Sequence, residues 1–167
     1  FGSYWNGYCE NLGAVMYAGS ESQWNDVTIG QYGNTVLVDA NFVFDCATYT
    51  GWVDAKDTWY YAKNGQLVTG WQYISNKWYY FADCGTMFTG WLKENGVWYF
   101  LQPNGAMATG WAKDGGYYYY FNTSGAMQTG WLKQGSTWYY LKPSGEMAVR
   151  WMKVGNTYYY FSSSGAM

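Results

Sequence analysis

Six tryptophans stand at near-equal intervals: Trp52, Trp71, Trp91, Trp111, Trp131 and Trp151, separated by 19, 20, 20, 20 and 20 residues. A second aromatic series keeps the same beat at Trp59, Trp78, Trp98, Tyr118, Trp138 and Tyr158. Rings gathered on one face with a thioether nearby offer little to a ligand that needs hydrogen bonds. They suit a cation that carries no N–H group, and aromatic cages around quaternary ammonium groups are the functional use of that attraction. Each ring contributes roughly 0.5–2 kcal/mol. One three-ring site would therefore bind at about the millimolar level, and several sites facing a polymer with many copies of the ligand would gain from effective concentration.

The elements that must position these rings are set by the same periodicity. Glycines recur at Gly65, Gly85, Gly105, Gly125, Gly145 and Gly165, each followed two residues later by Leu67, Met87, Met107, Met127, Met147 or Met167. A fixed short period marks a repeat array. Asn95-Gly96, between alternating apolar and polar residues, is a strong signal for a two-residue hairpin turn. Its equivalents are Lys56-Asp57, Ser75-Asn76, Gly115-Gly116, Gly135-Ser136 and Gly155-Asn156.

A turn there sets Glu94 opposite Val97, Lys93 opposite Trp98, Leu92 opposite Tyr99 and Trp91 opposite Phe100. Side chains alternate across a strand, so Trp91, Lys93, Trp98 and Phe100 share one face and Leu92, Tyr99 and Leu101 the other. The leucine face is expected to pack against neighbouring repeats, together with the Tyr60, Tyr79 and Tyr99 series. The tryptophan face, shared with a lysine, is expected to stay partly open. The lysines at 93, 113, 133 and 153 read as solvated hairpin positions, since a like charge repels an ammonium group. Pro103-Asn104-Gly105 and Thr123-Ser124-Gly125 form a second turn, and Met107-Ala108-Thr109 leads into the next Gly-Trp. A lone hairpin is marginal in water, so stacked units must supply the core. The expected fold is all-β, a solenoid of stacked β-hairpins, with six repeats of about 20 residues over 51–167.

Composition narrows the function. Aromatics are 24% of the 167 residues, charged residues only 12%, and the net charge is −2, which argues against nucleic acid because such partners require a basic stripe. No apolar run approaches the roughly 20 residues that span a bilayer. No signal peptide opens the chain at Phe1, which reads as a mature product or an expressed fragment. Histidine is absent, removing the commonest general base and metal ligand; no metal or cofactor is expected. The three cysteines, Cys9, Cys46 and Cys84, show no zinc-like spacing. Cys84 fills a loop position held by Asn104 and Ser124 in later repeats and reads as an incidental substitution. Cys9 and Cys46 could bridge the N-terminal segment.

Residues 1–50 lack the period. Residues 34–39 and 40–46 read as short strands. The segment is either a pair of diverged repeats capping the array or the remnant of another domain. It holds Glu10, Glu21, Asp26, Asp39 and Asp45, but their spacing suggests no paired-carboxylate hydrolase, and the stretch is short for a catalytic domain. The chain is therefore read as non-enzymatic. Carbohydrate-binding arrays remain a rival, although sugars also need flanking carboxylates and amides. A third reading is the anchor fragment of a longer hydrolase.

The motif Gly-Trp-Leu-Lys-x-x-x-x-Trp-Tyr-Tyr/Phe-x-x-x-x-Gly-x-Met-x-Thr-Gly-Trp resembles the choline-binding repeats of Gram-positive surface proteins and phage lysins, over residues 51–167. The resemblance implies a left-handed superhelix with ligand sites between consecutive hairpins. Each site would take two tryptophans from one repeat, an aromatic from the next and the intervening methionine. By position the sites would be Trp52, Trp59 and Tyr80; Trp71, Trp78, Met87 and Phe100; Trp91, Trp98, Met107 and Tyr120; Trp111, Tyr118, Met127 and Tyr140; and Trp131, Trp138, Met147 and Tyr160. The first lacks a methionine, and Trp151 with Tyr158 has no following repeat, so that site is incomplete unless a second chain closes it. The resemblance further implies attachment to phosphocholine on teichoic acids at the bacterial cell surface, and a homodimer through a terminal repeat.

Overall fold

Two-residue turns dominate the architecture because the sequence places residues that tolerate positive φ at each strand junction. The computed structural model describes residues 14–16, 20–25, 41–43, 47–55 and 58–167. Six antiparallel hairpins account for most of them: β3 (Gly51–Ala55) with β4 (Thr58–Lys63), β6 (Gly70–Ile74) with β7 (Lys77–Phe81), β8 (Gly90–Glu94) with β9 (Val97–Leu101), β10 (Gly110–Asp114) with β11 (Tyr117–Phe121), β12 (Gly130–Gln134) with β13 (Thr137–Leu141), and β14 (Arg150–Val154) with β15 (Thr157–Phe161). The expected register holds: Trp91 pairs with Phe100, Leu92 with Tyr99, Lys93 with Trp98 and Glu94 with Val97.

The turns divide into two kinds. Ser75-Asn76, Asn95-Gly96 and Gly115-Gly116 have both φ values positive, as a type I′ turn requires. Gly135 and Gly155 are positive while Ser136 and Asn156 are not, the II′ pattern with glycine first. Both twist in the sense that suits a hairpin, so the register is the same. The Lys56-Asp57 turn lies outside the described residues.

The chain divides into two compact units: Phe1–Thr89 with Pro103–Ala106, and Gly90–Gln102 with Met107–Met167. In the first, β1 (Ala14–Met16) and β2 (Asn41–Val43) form a parallel pair. The second falls inside the strand expected at 40–46; the strand expected at 34–39 lies outside the described residues. The short helix α1 (Glu21–Asn25) starts with a reciprocal cap. Gln23 N–H donates to Ser20 Oγ at 3.3 Å and Ser20 N–H to Gln23 Oε1 at 2.8 Å, satisfying donors that an open helix end leaves unpaired. A third strand, β5 (Gln66–Leu67), joins β4. Val53, Ala55, Tyr60 and Ala62 form the core with Leu67 against them. Tyr60 is 1% exposed, as expected of the packing series.

In the second unit the core contains Phe100, Ala108 and Phe121, flanked by Trp91, Ala112, Tyr119 and Met127. The tryptophan face of one hairpin thus meets the opposite face of the next, where Ala112, Tyr119 and Phe121 reside. Between hairpins the chain turns back: Phe121 bridges Met127 and Leu141 bridges Met147. The turn-back also ties consecutive hairpins together. Met127 N–H donates to the Trp98 carbonyl at 2.8 Å, Met147 N–H to Tyr118 at 2.7 Å and Met167 N–H to Trp138 at 2.9 Å.

Two cysteine expectations are overturned: with three cysteines in the chain, a bonded Cys84 excludes a Cys9–Cys46 bridge. Cys84 is disulfide-bonded, so it is no incidental loop substitution; a position that in other repeats needs only a small polar residue here carries a covalent restraint. Cys9 and Cys46 lie outside the described residues, as do Glu10, Asp26, Asp39 and Asp45, while Glu21 sits exposed in the first turn of α1.

Candidate aromatic binding sites

The two tryptophans of a hairpin are seven residues apart in sequence yet share one strand-pair face, because each lies an even number of positions from the two-residue turn. Their rings meet nearly at right angles. Centroid separations and interplanar angles are 6.2 Å and 84° for Trp52–Trp59, 6.4 Å and 84° for Trp71–Trp78, 6.2 Å and 85° for Trp91–Trp98, and 6.1 Å and 89° for Trp131–Trp138. Each pair makes two walls of a corner. Most corners open to solvent: Trp131 is 40% exposed, and Trp59, Trp78, Trp111 and Trp138 are similarly open, whereas Trp91 and Trp98 are half-buried.

Trp52, Trp91, Trp111 and Trp131 are each held on two sides. The first tryptophan of every hairpin touches the ring directly across its ladder: Tyr61 from Trp52, Tyr80 from Trp71, Phe100 from Trp91, Tyr120 from Trp111, Tyr140 from Trp131 and Tyr160 from Trp151, all at 5.1–5.3 Å. From the following hairpin those four also receive an edge-on tyrosine: Tyr79 on Trp52 at 4.9 Å, Tyr119 on Trp91 at 4.7 Å, Tyr139 on Trp111 at 5.0 Å and Tyr159 on Trp131 at 4.8 Å. Edge-to-face contacts of this kind add roughly 0.5–1.5 kcal/mol beyond burial. The ring that reaches back is therefore the neighbour of the one assigned from the resemblance: Tyr79 beside Tyr80, Tyr119 beside Tyr120. Phe100, also assigned to a site, is 7% exposed and sits between Trp91 and Phe121.

The methionine backbones are tied to the hairpin before the one whose site they were assigned to. Met127, not Met107, has its backbone tied to Trp98, and its side chain packs on the cluster that includes Trp91. Met147 is tied to Tyr118, Met167 to Trp138 and Met87 to Trp59 through the same backbone N–H to carbonyl bond. The thioethers themselves all lie against the glycine of the following turn: Met87 on Gly105, Met107 on Gly125, Met127 on Gly145 and Met147 on Gly165.

Two polar features escaped the sequence reading. Lys93, Lys113, Lys133 and Lys153 are exposed as expected, but each Nζ also stands over the second ring of its own hairpin, at 5.4 Å from Trp98, 5.4 Å from Tyr118, 5.5 Å from Trp138 and 5.7 Å from Tyr158. The cross-strand register signals this contact, since each lysine pairs directly with that ring. The Trp91 indole N–H donates to Asp114 Oδ2 at 2.9 Å, and Gln134 Nε2 donates to the Tyr120 hydroxyl at 2.9 Å. No local pattern announces either. Trp151, Tyr158 and Tyr160 in the last hairpin are 69%, 63% and 55% exposed. Among the described residues no three His, Cys, Asp or Glu side chains cluster around a metal-sized point.

Comparison with known proteins places this geometry. A family profile described as a choline-binding repeat matches residues 68–109 and 108–151, and one described as a putative cell wall binding repeat matches 50–65 and 149–167. Among solved structures, CbpJ from Streptococcus pneumoniae TIGR4 is 49% identical with a TM-score of 0.67, over 71% of this chain and 42% of that one. Choline binding protein F from Streptococcus pneumoniae is 45% identical with a TM-score of 0.66, over 71% and 41%. The multimodular pneumococcal cell wall endolysin from phage Cp-1, solved with choline, is 39% identical with a TM-score of 0.55, over 70% and 36%. This chain thus spans less than half the length of these relatives. No curated protein sequence matched. Hairpin register, paired perpendicular indoles and profile matches agree: the chain belongs to the choline-binding repeat family.

Proposed function

We propose that this chain is a non-catalytic attachment module that binds the choline groups of phosphocholine-bearing teichoic acids on a bacterial cell wall. The observation that carries the reading is the right-angled indole corner, repeated in four hairpins with centroid separations of 6.1–6.4 Å. A trimethylammonium head has no hydrogen to donate, so a corner of π-faces serves it better than any polar pocket, and a methionine beside the corner adds polarizable contact. Tyr79, Tyr119, Tyr139 and Tyr159 from the next hairpin brace the first indole edge-on, and family resemblance assigns the closing of the open side to Tyr80, Tyr120, Tyr140 and Tyr160. Solved relatives include an endolysin complexed with choline and a choline binding protein in the presence of a peptidoglycan analogue, which supports a surface-exposed setting. Individually weak sites become firm when several engage one polymer.

The test is adsorption of the purified chain to a quaternary-amine resin, with elution by free choline and by dextran as separate arms. Choline elution is expected, with retention reduced in Trp131→Ala. Elution by dextran alone would transfer the assignment to carbohydrate, and sustained release of soluble fragments from choline-containing walls would overturn the non-catalytic reading.

A further inference from the structure

Within the second unit the Trp91 and Trp131 corners are close copies. Trp91 meets Trp98 at 6.2 Å, Tyr119 at 4.7 Å and Phe121 at 5.7 Å. Trp131 meets Trp138 at 6.1 Å, Tyr159 at 4.8 Å and Phe161 at 6.0 Å. Even the lysine over the second ring is shared, Lys93 at 5.4 Å and Lys133 at 5.5 Å. Apart from Phe100 across the ladder from Trp91 where Trp131 has Tyr140, what differs is the last residue of the next hairpin's first strand. At Trp91 it is Asp114, whose carboxylate accepts the indole N–H at 2.9 Å. At Trp111 it is Gln134, which instead holds the Tyr120 hydroxyl. At Trp131 it is Val154, which can neither accept a hydrogen bond nor carry charge.

We infer that this strand-end position sets the charge selectivity of the corner behind it, with Asp114 making the Trp91 corner the one in this unit that most strongly prefers a cation. The inference rests on the choline reading above. An N–H donating to a carboxylate pushes electron density onto the indole face, and the fixed negative charge attracts an ammonium group directly. A unit charge roughly 7 Å from the ligand, at an effective dielectric of about 40–80, changes affinity about three- to sevenfold. Gln134 leaves its corner neutral, and Val154 leaves its corner apolar.

The experiment uses the full chain with 15N-labelled tryptophan, following the indole resonances of Trp91 and Trp131. It compares choline with 3,3-dimethylbutan-1-ol, which has the same shape and no charge. In Asp114→Asn, an isosteric change that keeps an acceptor, choline affinity at Trp91 should fall about three- to sevenfold while the neutral alcohol is unaffected. Asp114→Glu should retain the preference, and Val154→Asp should raise the choline-to-alcohol ratio at Trp131. A merely structural role would move both ligands together, and that result, or an unchanged ratio in both Asp114→Asn and Val154→Asp, overturns the inference while leaving the cages standing. If choline shifts no indole resonance, the choline reading itself has failed, and this inference with it.

Discussion

Replacing Gly125 by alanine should harm the array far more than the same change at Gly116, although both have positive φ, +81° and +88°. An L-residue in the left-handed region costs roughly 1–2 kcal/mol, and both variants share that cost. A Cβ at Gly116 meets nothing within 4 Å. At Gly125 it would overlap the Met107 Sδ and stand 2.9 Å from its Cγ. The loop cannot easily retreat. Asn122 Oδ1 accepts N–H groups from Ser124 at 3.0 Å and Ala126 at 2.9 Å, and Gly125 N–H donates to the Asn122 carbonyl at 3.0 Å. The thioether must therefore leave its seat, and overpacking of this sort costs about 1–3 kcal/mol. Gly125→Ala should thus lose about 2–5 kcal/mol against about 1–2 for Gly116→Ala. Urea unfolding followed by tryptophan fluorescence measures both, and a Met107→Ala background should erase most of the difference by removing the obstacle. Equal losses at the two glycines, or no relief from Met107→Ala, would refute the view that each methionine docks on the glycine of the following turn.

Two further outcomes concern other parts of the molecule. With Cys84 in a disulfide and three cysteines in the chain, thiol titration in denaturant should find one reactive group before reduction and three after, and reduction should lower stability by about 2–4 kcal/mol. Burial, then the carboxylates of Glu146 and Asp114 and the nearby Tyr117, raise the Tyr119 phenol above its ordinary value of 10.0. Folding thus favours the neutral phenol. As pH rises past that ordinary value the unfolded chain releases its proton first, so stability falls with pH there and is unaffected below. Tyr119→Phe should show a shallower alkaline loss in denaturation midpoints measured between pH 9 and 11, values set around the tyrosine range of about 10.

Sequence and structure divide along the range of the interactions involved. The hairpins, their register, the shared face of each tryptophan pair and the burial of Tyr60 were all legible from the chain, because a two-residue turn and strict side-chain alternation are local and leave no freedom. The aromatic chemistry was legible for the same reason, residue type and face being known together. The consequences of stacking were not. Met107 and Met127 are equivalent in a periodic sequence, and only the way the chain turns back along the preceding hairpin ties the Met127 backbone to Trp98 and sets Tyr119 edge-on against Trp91. The Asp114–Trp91 hydrogen bond spans 23 residues, and the bonding of Cys84 breaks the period altogether. A repeat determines its own shape by itself, but the offset at which one repeat meets the next is a property of packed surfaces, and that offset decides which side chains of neighbouring repeats touch.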